Sequence, residues 1–183
     1  RARHRRSHRW KTDQLNALTT DQLVSLRPDQ VSDISASRFG ALSTDQVNAL
    51  TASQLSRLTT AQLNALDASH LSAVSTSGLG GLSSAQLRAL TTDQIQTFST
   101  DQVAALSAGQ VQAFTTAQVA ALTTGQMQAL STDQFKSLGA SQVGALTTEQ
   151  VQAVSSDQLR AIDQRNVSAL STAALAALST DQM

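Results

Sequence analysis

Apolar residues recur along the chain at two fixed phases of an eight-residue period, and polar residues fill the positions between them. Leu42-Ser43-Thr44-Asp45-Gln46-Val47-Asn48-Ala49 serves as the type octad, its residues numbered as slots one to eight. Slot one recurs from Trp10 to Leu178 and is apolar in all 22 instances. Slot six recurs from Leu15 to Met183 and is likewise apolar in all 22. Slot five is Gln in 17 of 22 and slot two is Ser, Thr or Asp in 19 of 22, so the polar positions are nearly as regular. No insertion or deletion breaks the register, which a globular domain with ordinary loops would not sustain.

Neither uniform secondary structure fits this spacing. At about 100° per residue an octad drifts by about 80° around a continuous α-helix, so slot one would spiral and never form a stripe. In a β-strand slots one and six have opposite parity and would face opposite sides of the sheet. A short helix restarted in every octad satisfies both anchors. Ser43 in slot two is a favoured N-cap, and Gln46 three residues later can return a bond to the Ser43 N–H, completing a capping box. Thr115 with Gln118, and Thr123 with Gln126, repeat that pair. Leu42 before the cap and Val47 at the fourth helical position are placed as a hydrophobic staple. Asp45 sets an anion near the positive helix end. The one proline, Pro28, falls in slot three, the first helical position, where proline is best tolerated.

The fold class expected is all-α: a solenoid, or superhelix, of very short capped helices, one per octad. Each helix should hold about six or seven residues, well below the ~12 at which an isolated helix becomes marginal. One octad therefore cannot order itself, and stacking of successive coils must supply the stability. Slots one and six should be buried and slot seven, which varies freely, exposed. Slot eight is Ala in 15 of 21 instances, which predicts close approach inside the coil. Sharp bends between equal short rods suggest about four octads per superhelical turn. Sixteen-residue echoes, Phe98 with Phe114 and Gly109 with Gly125, favour an even number. Two regions are expected, a basic head at 1–9 and the repeat array at 10–183.

The charge distribution adds to this picture. Net charge is zero, yet Arg1, Arg3, Arg5, Arg6, Arg9 and Lys11 supply six of the thirteen basic residues before the first acidic one at Asp13. The head is thus +6 and the remainder −6, which makes these six residues the candidate contact for an anionic partner such as nucleic acid or an envelope polymer. With no aromatic among them before Trp10, base stacking has little support. The basic start lacks an apolar stretch behind it and so is not an intact secretory signal.

Candidate chemistry is sparse. The chain has no Cys, so disulfides and thiolate metal sites are excluded. His4 and His8 stand four apart but read as a solvated cationic tail rather than a metal pair. His70 occupies the glutamine slot after Asp67 and reads as a variant capping residue. The acidic residues mostly occupy slot four, where the helix end explains them. Gly78, Gly80 and Gly81 follow no strand and mark a locally loosened coil rather than a phosphate loop. Slot three is Thr in 13 of 22 octads, and a regular row of that kind is what an ice-binding surface would need. No catalytic residue, cofactor, metal or small-molecule substrate is expected, and no stretch approaches the ~20 apolar residues of a membrane span.

The octads, as in Leu122-Thr-Thr-Gly-Gln-Met-Gln-Ala129 and Leu146-Thr-Thr-Glu-Gln-Val-Gln-Ala153, resemble the L-T/S-T-x-Q-V-x-A arrays of large repetitive bacterial surface or secreted proteins. The resemblance covers Trp10 to Met183 and departs from the pattern at Val74-Ser-Thr-Ser-Gly-Leu-Gly-Gly81 and Ile162-Asp-Gln-Arg-Asn-Val-Ser-Ala169, without a change of spacing. It implies an extracellular spacer, adhesin stalk or filament-forming subunit at a bacterial surface. The final octads are more apolar than the interior ones. The expected partner is therefore the chain itself, or further repeats, stacked head to tail. The alternative is a surface-binding module that uses the basic head or the Thr row.

Overall fold

The computed structural model describes residues 11–182. The head residues Arg1, Arg3, Arg5, Arg6 and Arg9, with His4, His8 and Trp10, lie outside that range. Among the described residues there is no strand, and 21 helices follow one another at octad spacing from Thr12–Asn16 to Thr172–Ala176. They hold four to six residues each, shorter than the six or seven expected, because slot one of the next octad is extended rather than helical. In the helix Thr116–Ala121, for example, Thr115 is the extended N-cap (φ −71°, ψ 161°) and Leu122 leaves the helix at φ −57°, ψ 133°. At Leu90–Thr91, Leu130–Ser131 and Val154–Ser155 the bend is likewise made by two extended residues, slots one and two. Among the described residues none has a positive φ. The helix ends need no glycine, since no left-handed cap is used.

Slot one is buried from Ile34 to Leu170 and slot six from Leu15 to Val151. Slot seven is exposed in every described octad except at Ser32 and Gly40, which are half-buried. The contacts divide the chain into two compact units, one ending at Gly81 and one beginning at Leu82. Within each, a helix packs on the third helix along: Thr44–Asn48 on Ala68–Ala73 in the first, Thr100–Ala104 on Thr124–Ala129 and Thr132–Lys136 on Ser156–Ala161 in the second.

Hydrogen bonds between successive turns join residues 25 to 31 apart, so the turn falls between three and four octads. The expectation of four, and of an even number, is corrected. The packing between apolar side chains, and not a whole number of octads, sets the turn. The sixteen-residue echoes do not report it.

Slot eight also differs from expectation. Ala113 is buried, but Ala49, Ala89, Ala121 and Ala145 are half-buried and Ala105 is exposed. This row lies on the seam between turns. Its carbonyls accept bonds from slot-seven side chains of the turn before, as Ala121 does from Gln96 Nε2 at 2.9 Å and Ala113 from Arg88 Nε at 3.0 Å. At Gly81 the seam is tighter still, and a methyl group there would run into the backbone carbonyl of Ala52. Gly81→Ala, although it restores the commonest residue of the slot, is expected to cost about 1–3 kcal/mol by overpacking. Chemical denaturation measures this, and a neutral or stabilising result would show that the seam can open freely.

Candidate functional site

The most regular polar feature of the fold is the row of slot-five glutamines. Each begins as a helix cap. Gln46 N–H donates to Ser43 Oγ at 3.2 Å, and Ser43 N–H donates to Gln46 Oε1 at 2.9 Å. The same reciprocal pair joins Thr115 with Gln118 (3.2 and 2.8 Å) and Thr123 with Gln126 (3.1 and 2.9 Å). The return bond uses only backbone at slot two, so it survives where the cap side chain is Lys11, Arg27 or absent at Gly139. In those octads the helix keeps its start without a hydroxyl. Thr115→Ala is accordingly expected to cost about 0.5–2 kcal/mol. The Gln118 return bond should remain. A loss of the whole turn's amide protection in hydrogen exchange would contradict this.

The caps occupy only part of each glutamine. From Gln46 to Gln158 every slot-five glutamine is buried, and within each unit, from Gln46 to Gln62 and from Gln110 to Gln158, its Nε2 group reaches the preceding turn. Gln46 Nε2 donates to the carbonyls of Leu15 and Leu18, both at 2.9 Å. Gln118 Nε2 donates to Leu87 and Leu90 at 2.8 and 2.7 Å, and Gln126 Nε2 to Ile95 and Phe98 at 2.9 and 2.8 Å. In Gln46, Gln54, Gln62 and from Gln118 to Gln158 the acceptors are a slot-six carbonyl 31 residues back and a slot-one carbonyl 28 residues back. The slot-six carbonyl already accepts the slot-one N–H three residues on, as Leu87 does from Leu90 at 3.2 Å, so the amide occupies its second lone pair. One side chain therefore starts its own helix and closes the end of another. An amide with two donors and a carbonyl oxygen is the side chain that can do both.

Two of the variants in this slot, His70 and Asn166, retain part of the function. The His70 backbone N–H donates to the Asp67 carboxylate at 3.0 Å, and its Nε2 donates to the Leu42 carbonyl at 2.7 Å. Asn166 reaches the Leu138 carbonyl at 2.9 Å. Gly78 has no side chain to reach with, and the boundary between the units follows three residues later. At Asp67 the Ser69 hydroxyl first, and then the His70 backbone N–H, hold the carboxyl down at about 2. A lowered folded value means that this cap stabilises fully above the ordinary 3.8 and is lost as pH falls through about 2. The carboxyl carbon resonance of Asp67 should report proton uptake with a midpoint near 2. A titration midpoint near the ordinary value would refute the cap.

Lys11, the one described member of the basic set, is exposed at the first N-cap. The Thr of slot three is exposed in Thr100, Thr116, Thr124 and Thr132. At Thr100 slot three of one turn approaches slot four of the next, Gly125. The Thr100 methyl stands 3.9 Å from the place a side chain on Gly125 would begin. Among the described residues no helix is long and apolar enough to cross a membrane.

Short capped helices, one per octad and joined between turns by a glutamine row, define a helical tandem-repeat protein. The chain matches the ALTTAQ repeat over residues 65–100, 75–108, 98–132 and 119–156, overlapping segments that together span half its length. It belongs to the ALTTAQ repeat family. Ala145-Leu-Thr-Thr-Glu-Gln150 shows how those letters map onto the fold: slots eight and one, the cap Thr147, and the amide Gln150. Among curated proteins, none matches the chain.

Proposed function

We propose that the chain is a non-catalytic structural module, a bacterial cell-surface spacer that gains length by stacking octad turns end to end. The observation that carries this reading is the glutamine row. The buried amides from Gln118 to Gln158 each place their donors on the turn before, so every added turn is held by the same bonds as the last. Such a design scales with repeat number, and stability becomes a sum over neighbours. The exposed slots four and seven vary without effect on those bonds, which suits a surface whose task is reach.

The test uses the absence of Cys in the sequence, which makes two introduced cysteines unique labels. Ala85→Cys and Asp157→Cys mark two exposed slot-four positions. Removing residues 98–153, seven whole octads, should shorten the distance between spin labels while helicity per residue stays unchanged. An unfolded product, or an unchanged distance, would overturn the spacer reading. Antibody against the chain should label intact cells, and labelling only after lysis would overturn the surface location.

A further inference from the structure

Slot seven varies along the sequence, yet in the unit that begins at Leu82 its charges share one place. Each helix there packs on the third helix along, so slot-seven residues three octads apart stand on successive turns. One such column runs through Arg88, Gln112, Lys136 and Arg160, on the helices Ser84–Ala89, Ala108–Gln112, Thr132–Lys136 and Ser156–Ala161. All four residues are exposed. The columns through Gln96 and Gln128 carry only Gln, Ala, Gly and Ser. Packed helices stand about 8–10 Å apart, so the column offers polar donors at regular steps to a ligand lying along it.

The protein itself does little to neutralise these cations. Arg88 Nε donates to the Ala113 carbonyl at 3.0 Å, which holds the guanidinium beside Gln112. Its two Nη groups have no partner among the described residues, and the helices Ser84–Ala89 and Ala108–Gln112 carry no acid. The Asp163 carboxyl is held at about 2 by the Arg165 guanidinium and, more weakly, by Lys136 from the turn before. Arg160 has Asp157 at 3.7 Å, with both side chains largely exposed, a contact of little worth in water. Beside Arg88 and Gln112 the surface opens into a groove of about 400 Å³, lined also by Thr115, Thr116, Gly139 and Ser141. Gly139 is the only slot-two glycine, and a methyl group there would meet nothing closer than Gln142 Oε1 at 3.9 Å. The groove is thus open where other octads carry a cap side chain. Thr116 and Ser141 are exposed, and their hydroxyls have no partner among the described residues.

We propose that this column and its groove bind a linear acidic polysaccharide, with polymer carboxylates on Arg88, Lys136 and Arg160 and sugar hydroxyls on Gln112, Thr116 and Ser141. One exposed cation holds a carboxylate weakly, but a polymer engages several in register, and the later contacts form at high effective concentration. A compact anion would reach one turn only. Single-stranded nucleic acid carries similar charge but is held by stacking of its bases on aromatic side chains. Phe98, Phe114 and Phe135, the aromatics of this unit, are all buried. The hydroxyl and amide groups of the groove suit sugar hydroxyls, since each donates or accepts as the ligand requires. The site adds a partner to the spacer reading without depending on it.

Fluorescence anisotropy of labelled oligogalacturonate, a linear chain with one carboxylate per sugar, tests it on the full chain at physiological ionic strength. Arg88→Gln with Lys136→Gln and Arg160→Gln removes the three charges. The fold accepts glutamine here, because Gln96 and Gln128 already make the Arg88 type of bond, each to a carbonyl 25 residues on. Affinity should fall about tenfold. Arg27→Gln with Arg38→Gln and Arg57→Gln removes as many charges from the other unit and should change it less than about twofold. Gly139→Thr puts the usual slot-two side chain into the groove and should weaken binding about threefold without loss of stability. Bound oligomer should slow amide exchange within residues 112–116 and 139–141, which separates this site from the basic head. Unchanged affinity in the column or groove variant, an equal loss in the other-unit control, or no local protection would overturn the proposal. Equal binding of the methyl-esterified oligomer, or tighter binding of oligothymidylate, would overturn it as well. The spin-label distance reports separately on the spacer reading, so the two can fail independently.

Discussion

Replacing Gln118 with Glu is expected to destabilise its turn by about 3–5 kcal/mol, although the two side chains differ by one atom. Gln118 is 2% exposed and its Nε2 donates to the Leu87 and Leu90 carbonyls. The substitution deletes both donors and turns a buried carboxylate toward two carbonyl oxygens. The cap would survive, because a carboxylate can still accept the Thr115 N–H. Gln118→Ala removes the amide without adding charge and should cost less, about 1–3 kcal/mol. Burial and the facing carbonyls raise the pKa of the introduced carboxyl. Its deficit is therefore complete at neutral pH and shrinks as pH falls through the raised value, when protonation removes the charge and returns one donor. Urea denaturation at about pH 7 and about pH 5 tests both rank and sign. A Glu variant as stable as the Ala variant at neutral pH would show that the amide does not face those carbonyls.

Phe135→Ala should cost a similar amount, about 3–5 kcal/mol, by a different route. Phe135 is 0% exposed in slot six, on a helix packed against Ala108–Gln112 and Ser156–Ala161. Next to it, Gln134 Nε2 holds the Val103 and Leu106 carbonyls at 3.1 and 2.7 Å. Those bonds fix the spacing of the turns, so the cavity left by the ring cannot collapse, and the site should incur the full cost of the void. Lys136→Ala, one residue further and exposed, should stay within about 0.5 kcal/mol. Hydrogen exchange should accelerate chiefly in the turns that touch Phe135. A loss below about 1 kcal/mol would mean that the turns can close onto the gap.

Much of this fold was legible in the order of residue types. Apolar slots one and six, with Ser or Thr at slot two, led to short capped helices because no uniform helix or strand can serve both anchors. Pro28 opens the helix Pro28–Ser32, as its fixed φ requires. The pitch was less accessible. Whether a turn closes after three, three and a half or four octads depends on the angle between packed helices, which side-chain volume sets and periodicity does not record. Slot eight was misplaced for a related reason. Alanine suits any close approach, and the seam between turns is as close as an interior. The largest omission was the second task of the glutamines. A signal for it existed: a capping box accepts Glu as readily as Gln, yet slot five contains no Glu in the whole sequence. Preference for the amide over the acid indicates that the NH2 group is in use, although only coordinates reveal that its acceptors lie 28 and 31 residues back. The basic head stands outside the described residues, so its six charges are placed only at Lys11.

The backward direction of those bonds has a consequence for synthesis. Each amide needs acceptors belonging to residues made earlier, never later. A chain growing from its N-terminus at about 5–20 residues per second therefore always has its template in place before the next octad emerges. Every new segment can settle onto a finished edge after about four octads have left the ribosome, without waiting for a distant part of the sequence. Assembly of this kind is vectorial. Lengthening the gene by whole octads should slow completion only in proportion to the added length, and a stalled product should already be ordered up to its last complete turn.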